Sequence, residues 1–432
     1  MRVLHVTHQY RPAIGGSELH ITNLSEELAR RGHRVTVFTS RARDYRTWRS
    51  ELPKVENMDG VLIHRYRSLV RGALTWRILD YGYRNYRRTQ SRCYEPLVFL
   101  GNGPVCPGLF WALLRKAANH DLVHINNLHY AHAATAYLVA KWQGLPLVIT
   151  PHIHMEQPMT YDIDYMWTVL RGADHVVADT RSERQFLIGA GLDHQRTTTA
   201  GVGIHIDAFP SLDQQACRQE LGLPIDAFVL LFLGRKTEYK GLDLVLEAFS
   251  ALLPHHPQLH LVAVGPETTH SRALWSRYDG LPHLISLDRV PDEKRLLALN
   301  ACDCLVMPSS GEAFGIVYLE AWAVGKPVIG ACTRAVSSLV ADGQDGYLVP
   351  SGSASQLADR IVRLLEDPAL GPQMGKSGQK KLRNRYTVPK IVDIVEGIYL
   401  RVLRRNGHRT KQEPRAGKAN RQARSIDRRE AR

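Results

Sequence analysis

Two carboxylates in one short stretch, Ser310-Gly-Glu312-Ala-Phe-Gly315-Ile-Val-Tyr-Leu-Glu320, carry the strongest chemical signal in this chain. The apolar run Cys304–Met307 before them reads as a buried parallel strand, and Ile316 to Val324 after them reads as a helix closed by Gly325-Lys-Pro327. A helix opening after Phe314-Gly315 leaves the amides of Phe314, Gly315, Ile316 and Val317 without intrahelical acceptors. They lie at the positive end of the helix dipole, which suits a phosphate. Glu312 falls in the loop beside that end, within reach of a polyol. Glu320 falls about two turns inside, and spacing alone leaves it open between a ligand contact and a solvent-facing position.

Three further motifs stand where strands give way to helices or loops. In Gly234-Arg235-Lys-Thr-Glu-Tyr-Lys240-Gly241, Arg235 offers a planar fork and Lys240 a point charge, both suited to a diphosphate. Taken alone, they are equally a pair of surface cations at a strand end. Gly15-Gly16 precedes the first helix, where a bare backbone can approach a ligand closely, or simply make a tight turn. It is not the dinucleotide fingerprint GxGxxG, which weighs against a nicotinamide cofactor. Thr150-Pro-His152-Ile-His154 ends an apolar strand and offers two histidines.

These motifs need a scaffold of alternating strands and helices. Val3–Thr7, Arg34–Thr39, Leu122–Asn126, Pro146–Thr150 and His175–Ala178 read as strands, with Glu18–Arg30 an amphipathic helix closed by Gly32. The pattern restarts after Gly201, with strands at Val229–Leu233, Leu259–Val264, Leu284–Ser286, Cys304–Met307 and Pro327–Ile329. Leu242–Leu253 and Lys294–Ala301 read as covering helices. The expected architecture is α/β, with two Rossmann-like doubly wound domains facing across a cleft: residues 1–200 and 201–387, a last helix at 388–403 and a tail at 404–432. Ligands in such sheets bind beyond the carboxyl ends of the strands.

Composition bounds the class. In a chain of 432 residues, 44% hydrophobic and 23% charged content fits a globular protein with sizeable cores. The opening Met1-Arg-Val-Leu-His-Val reads directly as strand, which predicts a cytoplasmic protein without a secretion leader. Six cysteines without CxxC spacing predict reduced thiols. The longest uncharged run, between Glu95 and Arg115, holds Pro96, Pro104 and Pro107 and is not a clean membrane helix. Of the net charge of +14, eight positive charges belong to residues 404–432, which read as a solvated, disordered tail; no nucleic-acid partner is expected. Tyr81-Gly-Tyr83-Arg-Asn-Tyr86-Arg87-Arg88, with Arg92, interleaves aromatics and cations. It fits either peripheral contact with an anionic membrane or a solvated helix with inward tyrosines.

The Glu312-to-Glu320 spacing resembles the signature of retaining glycosyltransferases of the GT-B fold, the large family four. The resemblance spans residues 1–403 and is sharpest from Gly234 to Pro350, and Gly343-Gln-Asp-Gly346 and Arg31-Gly32-His33 are also family-like. It implies that Glu312 contacts a donor sugar, Glu320 the ribose, and the amides of Phe314 to Val317, with Arg235 and Lys240, the diphosphate. It implies that Gly15 and Gly16 face the diphosphate and acceptor, and that His152, with His154 as runner-up, meets the sugar from the other lobe. The implied reaction is retaining transfer from a UDP- or GDP-sugar to a hydroxyl acceptor, lipid-linked or glycan, in cell-envelope glycan synthesis at or near the inner membrane face. No cofactor is implied beyond the nucleotide-sugar substrate. Asp162-Ile-Asp164 is the only Asp-x-Asp considered for a metal, and metal independence is expected. Two departures mark this chain: Arg334-Ala335 stands where the family has a glycine pair, and Asp288 replaces a common glycine. A charged side chain at Arg334 can reshape the donor or acceptor pocket, which leaves donor identity open. The alternatives are a nucleotide-sugar epimerase of the same fold and a non-catalytic nucleotide-sugar-binding module.

Overall fold

The computed structural model describes residues 1–13 and 15–407. Residues 2–199 build an eight-stranded sheet. Its strands are β1 (Arg2–Thr7), β2 (Arg34–Ser40), β3 (Val55–Met58), β4 (Val61–Tyr66), β5 (Leu122–Asn126), β6 (Leu147–Thr150), β7 (His175–Ala178) and β8 (Thr197–Thr199), in the order β3-β4-β2-β1-β5-β6-β7-β8. All pair in parallel except β3 against β4. A second, all-parallel sheet follows: β9 (Phe228–Leu233), β10 (Leu259–Val264), β11 (Leu284–Leu287), β12 (Cys304–Met307), β13 (Val328–Ala331) and β14 (Tyr347–Val349), in the order β11-β10-β9-β12-β13-β14. Central strands such as β6, β10 and β12 are buried along their whole length, because helices cover both faces.

Six helices bear on function: α1 (Gly16–Arg30), α2 (Ala73–Thr89), α3 (Glu95–Asn102), α4 (Asp292–Ala301), α5 (Ile316–Ala323) and α6 (Val388–Arg405). Helix α6 returns from the second domain and packs Val395, Ile398 and Val402 into the first, beside Val3, Ile21 and Val148. The helix reaches two residues into the basic segment; the rest of the expected tail, 408–432, lies outside the described residues.

A buried polar chain fixes that docking. Burial holds the His5 imidazole down to about 3 and His124 well below its ordinary value, so each neutral ring has one N–H to give. The Ser25 hydroxyl donates to the carbonyl of Ile21 at 2.6 Å and therefore accepts from His5 Nδ1 at 2.7 Å. His5 Nε2 then accepts from the Tyr399 hydroxyl at 3.1 Å, Tyr399 accepts from His124 Nδ1 at 2.5 Å, and His124 Nε2 accepts from Thr150 at 2.9 Å. One direction of donation satisfies every group, and it ties α6 to the end of β6, two residues before His152.

Candidate active site

Strands β9 and β12 are neighbours in the second sheet, with Cys304 opposite Leu230, so the loops that follow them must meet. The Ser310 amide donates to the carbonyl of Tyr239 at 2.8 Å. Gly241 adopts φ +76°, and a Cβ there would stand 2.7 Å from the carbonyl oxygen of Pro308, so only glycine fits the junction. This brings Lys240 onto Glu312, with Nζ donating to Oε1 at 2.5 Å. Glu312 is 7% exposed. Burial works to raise its pKa, but the Lys240 ammonium overrides it and holds the carboxyl below its ordinary value. Lys240 is depressed by burial and raised more by Glu312.

Helix α5 starts where the sequence places it. Gly315 caps it at φ +97°, with the Tyr318 ring where a Cβ would lie. The Tyr318 amide turns back to the carbonyl of Gly315 at 3.1 Å. The amides of Phe314, Gly315, Ile316 and Val317 have no acceptor among the described residues. Glu320 is neither free nor solvent-facing: Arg295 of α4 donates to it from Nη1 at 2.7 Å. Its pKa is raised by burial against the pull of Arg295.

Arg235 follows β9 and stands exposed toward the first domain, donating from Nη1 to the Tyr45 hydroxyl at 2.9 Å with its guanidinium 5.4 Å from that ring centre. Its neighbour Lys236 takes the opposite course. It is fully buried, bonded to Glu267, to Ser286 Oγ at 2.8 Å and to the carbonyl of Leu287 at 3.1 Å, and it ties β9 to β11. Asp288 holds the Glu267 amide at 2.9 Å, which is the structural use of a side chain where glycine was expected.

The first domain answers with groups at the carboxyl ends of adjacent strands. His152, after β6, adopts φ +53°, a strained conformation for a residue with a Cβ. It is pinned from both sides: Nδ1 donates to Asp179, after β7, at 2.6 Å, and Nε2 meets Asn126 Oδ1, at the end of β5, at 2.8 Å. Below it, Glu183 receives the amides of Ile153 at 3.0 Å and Asp179 at 2.6 Å. Burial and Asp179 push the Glu183 pKa well above the carboxylate range. His154 differs: its Nδ1 is buried with no partner among the described residues. Burial lowers its pKa, while the nearby Glu312 pulls the other way. His152 is therefore held by its own domain, and His154 is the histidine beside the Lys240–Glu312 pair.

Gly16 abuts the second domain, with Ile316 Cδ1 3.3 Å from where its Cβ would be. The preceding Gly15 is crowded by the Glu18 carboxylate, whose Oε2 lies 2.2 Å from a Cβ position. The expected anion-facing helix end thus already carries a carboxylate, favoured there by the dipole of α1. Glu18 accepts from His8 Nε2 at 2.9 Å, and although burial opposes ionisation, His8 and Ser17 hold its pKa down to about 2. A carboxyl depressed from 4.5 to about 2 adds stability above pH 4.5 and loses it as pH falls toward 2, on the order of 3 kcal/mol in all. Glu18→Gln is accordingly expected to lower stability at pH 7 and to flatten the loss between pH 4.5 and 2. Urea denaturation at neutral and acid pH reads both effects.

Arg334 takes an ordinary helical backbone. It needs no left-handed conformation, because it opens the short helix Arg334–Leu339 capped by Thr333, and its side chain is exposed. Its amide donates across the cleft to Glu156 Oε1 at 2.9 Å, and Ser182 meets Ser338 at 2.5 Å nearby, so this loop serves as a domain contact. Asp162 and Asp164 are engaged structurally, with Trp167 at 3.1 Å and Arg92 at 2.8 Å. Sequence reasoning missed Tyr45, Asn126, Asp179 and Glu156. The signal for Asn126 and Asp179 was a polar residue at or just past the carboxyl end of a strand adjacent to β6.

The geometry can be set beside known proteins. A model of glycosyltransferase family 4 matches residues 14–208, and a model of the glycosyl transferases group 1 matches residues 213–381. A D-inositol 3-phosphate glycosyltransferase of Geodermatophilus obscurus is 30% identical over 81% of this chain and 78% of its own length. One from Catenulispora acidiphila is 29% identical over 84% and 86%. Among solved structures, Anabaena HepE in complex with UDP and glucose superposes with a TM-score of 0.69 at 20% identity, covering 92% of this chain and 99% of that one. A sucrose-phosphate synthase from Thermosynechococcus elongatus gives 0.71 at 21% identity, covering 94% and 100%. These likenesses show the GT-B fold.

Proposed function

The chain belongs to glycosyltransferase family four, the glycosyl transferases of group 1, and we propose that it moves a sugar from a UDP- or GDP-sugar to a hydroxyl acceptor with retention at the anomeric carbon. The observation that carries this reading is the convergence of Arg235, the Lys240–Glu312 pair and the amides of Phe314 to Val317 on one end of the second sheet. Two side-chain cations and a helix N-terminus suit a diphosphate leaving group. The UDP held by the similarly folded Anabaena protein is in keeping with such a donor.

In this reading the donor diphosphate draws on Arg235, Lys240 and the α5 amides as the glycosidic bond to phosphate breaks. Charge stabilisation by these groups stands in for a metal ion. The acceptor hydroxyl attacks from the same face and passes its proton to the departing phosphate oxygen. Glu312, aligned by Lys240, orients the sugar, and Glu320, aligned by Arg295, takes the ribose. His152 and His154 close on the sugar from the first domain, with Asp179 and Asn126 positioning the His152 ring. Domain closure excludes water, whose attack would hydrolyse the donor. The relatives' names include D-inositol 3-phosphate, a phosphorylated polyol; here the acceptor is assigned only as a hydroxyl, lipid-linked or glycan, reached by a protein that touches the membrane peripherally.

The test is donor consumption with and without a panel of hydroxyl acceptors. Release of UDP or GDP that depends on an acceptor, with one new glycoside formed, is the expected result. Isomerisation of the donor's sugar without acceptor would instead identify an epimerase, and nucleotide binding without turnover a binding module.

A further inference from the structure

Half of the large apolar side chains that stand exposed among the described residues fall between Leu69 and Trp111. They are not scattered. Leu69 and Val70, 59% and 61% exposed, lead into α2, where Leu74 is 71% exposed and Trp76 44%. Leu69 is tied to the loop after α3 by its amide, which donates to the carbonyl of Val105 at 2.9 Å, and Leu100 of α3 adds a fifth exposed apolar chain. Helix α2 packs Leu79 and Gly82 against α3 and buries Tyr86, whose hydroxyl accepts from the Asp164 amide, so its opposite face is fixed outward. Leu74, Arg77, Tyr81, Arg84 and Arg88 recur there at intervals of three and four, the spacing of one helical stripe. The only acid on α2, Asp80, pairs with Arg84, and Arg77 and Arg88 keep the stripe net positive.

We propose that this face, from Leu69 through the outward stripe of α2, docks on an anionic lipid bilayer and presents the acceptor side of the cleft to it. Apolar and aromatic tips at one end and arginines along the stripe match a surface with an acyl boundary beneath anionic headgroups. The patch also leads directly to the site. The Arg71 guanidinium, which the Trp76 ring covers at 3.6 Å, reaches the carbonyl of Tyr45 at 3.4 Å, and the Arg71 amide holds Thr47 at 2.7 Å. Tyr45 in turn holds Arg235. A lipid-borne hydroxyl acceptor therefore meets the first-domain side of the cleft without leaving the surface. Docking stands apart from the transfer reading, and only the delivery of an acceptor rests on it.

The test is flotation of the full chain with phosphatidylcholine vesicles and with vesicles that also hold phosphatidylglycerol. Two triple variants, Arg77→Gln/Arg84→Gln/Arg88→Gln and Leu69→Ser/Val70→Ser/Leu74→Ser, are compared with wild type. The cations of residues 404–432 are common to all three proteins, so differences read the α2 face. Wild type is expected to prefer the anionic vesicles, and removing three cations to weaken that binding by on the order of a hundred-fold. The apolar variant is expected to weaken binding to both vesicles by at least ten-fold. Nucleotide titration of each variant, expected to match wild type, shows that the cleft is intact and would expose a failure of the transfer reading separately. Wild-type binding by either triple variant would overturn the proposal. So would self-association of wild type, abolished in the apolar variant, with no vesicle binding.

Discussion

Glu312→Ala is expected to lower sugar transfer about a thousand-fold while leaving a folded, nucleotide-binding protein. The effect is large because Glu312 is held rather than merely present. It is buried, its charge is kept by Lys240 at 2.5 Å, and the α5 amides begin two residues on. Removing it also leaves the Lys240 ammonium buried without its partner, at a cost of about 3–5 kcal/mol. Glu312→Gln separates the two consequences: it keeps a hydrogen-bond partner for Lys240 and loses less stability, but it still lacks the charge that orients a sugar at a developing positive centre. Transfer rates, urea denaturation and nucleotide titration on both variants check this. Near-normal turnover in Glu312→Ala would remove the residue from the mechanism.

Arg235→Ala is expected to weaken nucleotide binding by about a hundred-fold, since charge-assisted bonds to a diphosphate are worth roughly 1.5–3 kcal/mol each. Stability should change little, because the side chain is exposed and its protein contacts are the ring and hydroxyl of Tyr45. Tyr45→Phe is the control. It deletes the hydrogen bond to Arg235 but keeps the ring under the guanidinium, and nucleotide affinity should stay within a few-fold of wild type. An equal loss in both variants would mean that Arg235 acts through the first-domain loop and not on the diphosphate.

Most of the scaffold was legible because buried parallel strands announce themselves as short apolar runs. His175–Ala178 and Cys304–Met307 fall where the sequence puts them, and Val388 opens the last helix as expected. The missed strands have reasons. Val55–Met58 and Val61–Tyr66 alternate exposed and covered positions at a sheet edge, and Thr197–Thr199 is three threonines long, so none of these carries a long apolar run; Tyr347–Val349 is apolar but only three residues long. In the site, Glu312, Lys240 and Gly315 were legible because each loop had to satisfy a local constraint, a left-handed glycine or a helix start, that leaves a mark in sequence. Asp179, Asn126 and Tyr45 were not, because their roles depend on strand order and on how the lobes meet. The local role of Arg334 was not legible either, because only the backbone shows a capped helix start at that position.

The most direct test of the central claim is calorimetric titration of wild type and Arg235→Ala with UDP, GDP and ADP in the presence of EDTA. The account predicts that wild type binds UDP or GDP without metal and that Arg235→Ala loses about two orders of magnitude of that affinity. Binding of no nucleotide, or binding that Arg235→Ala leaves untouched, would contradict it.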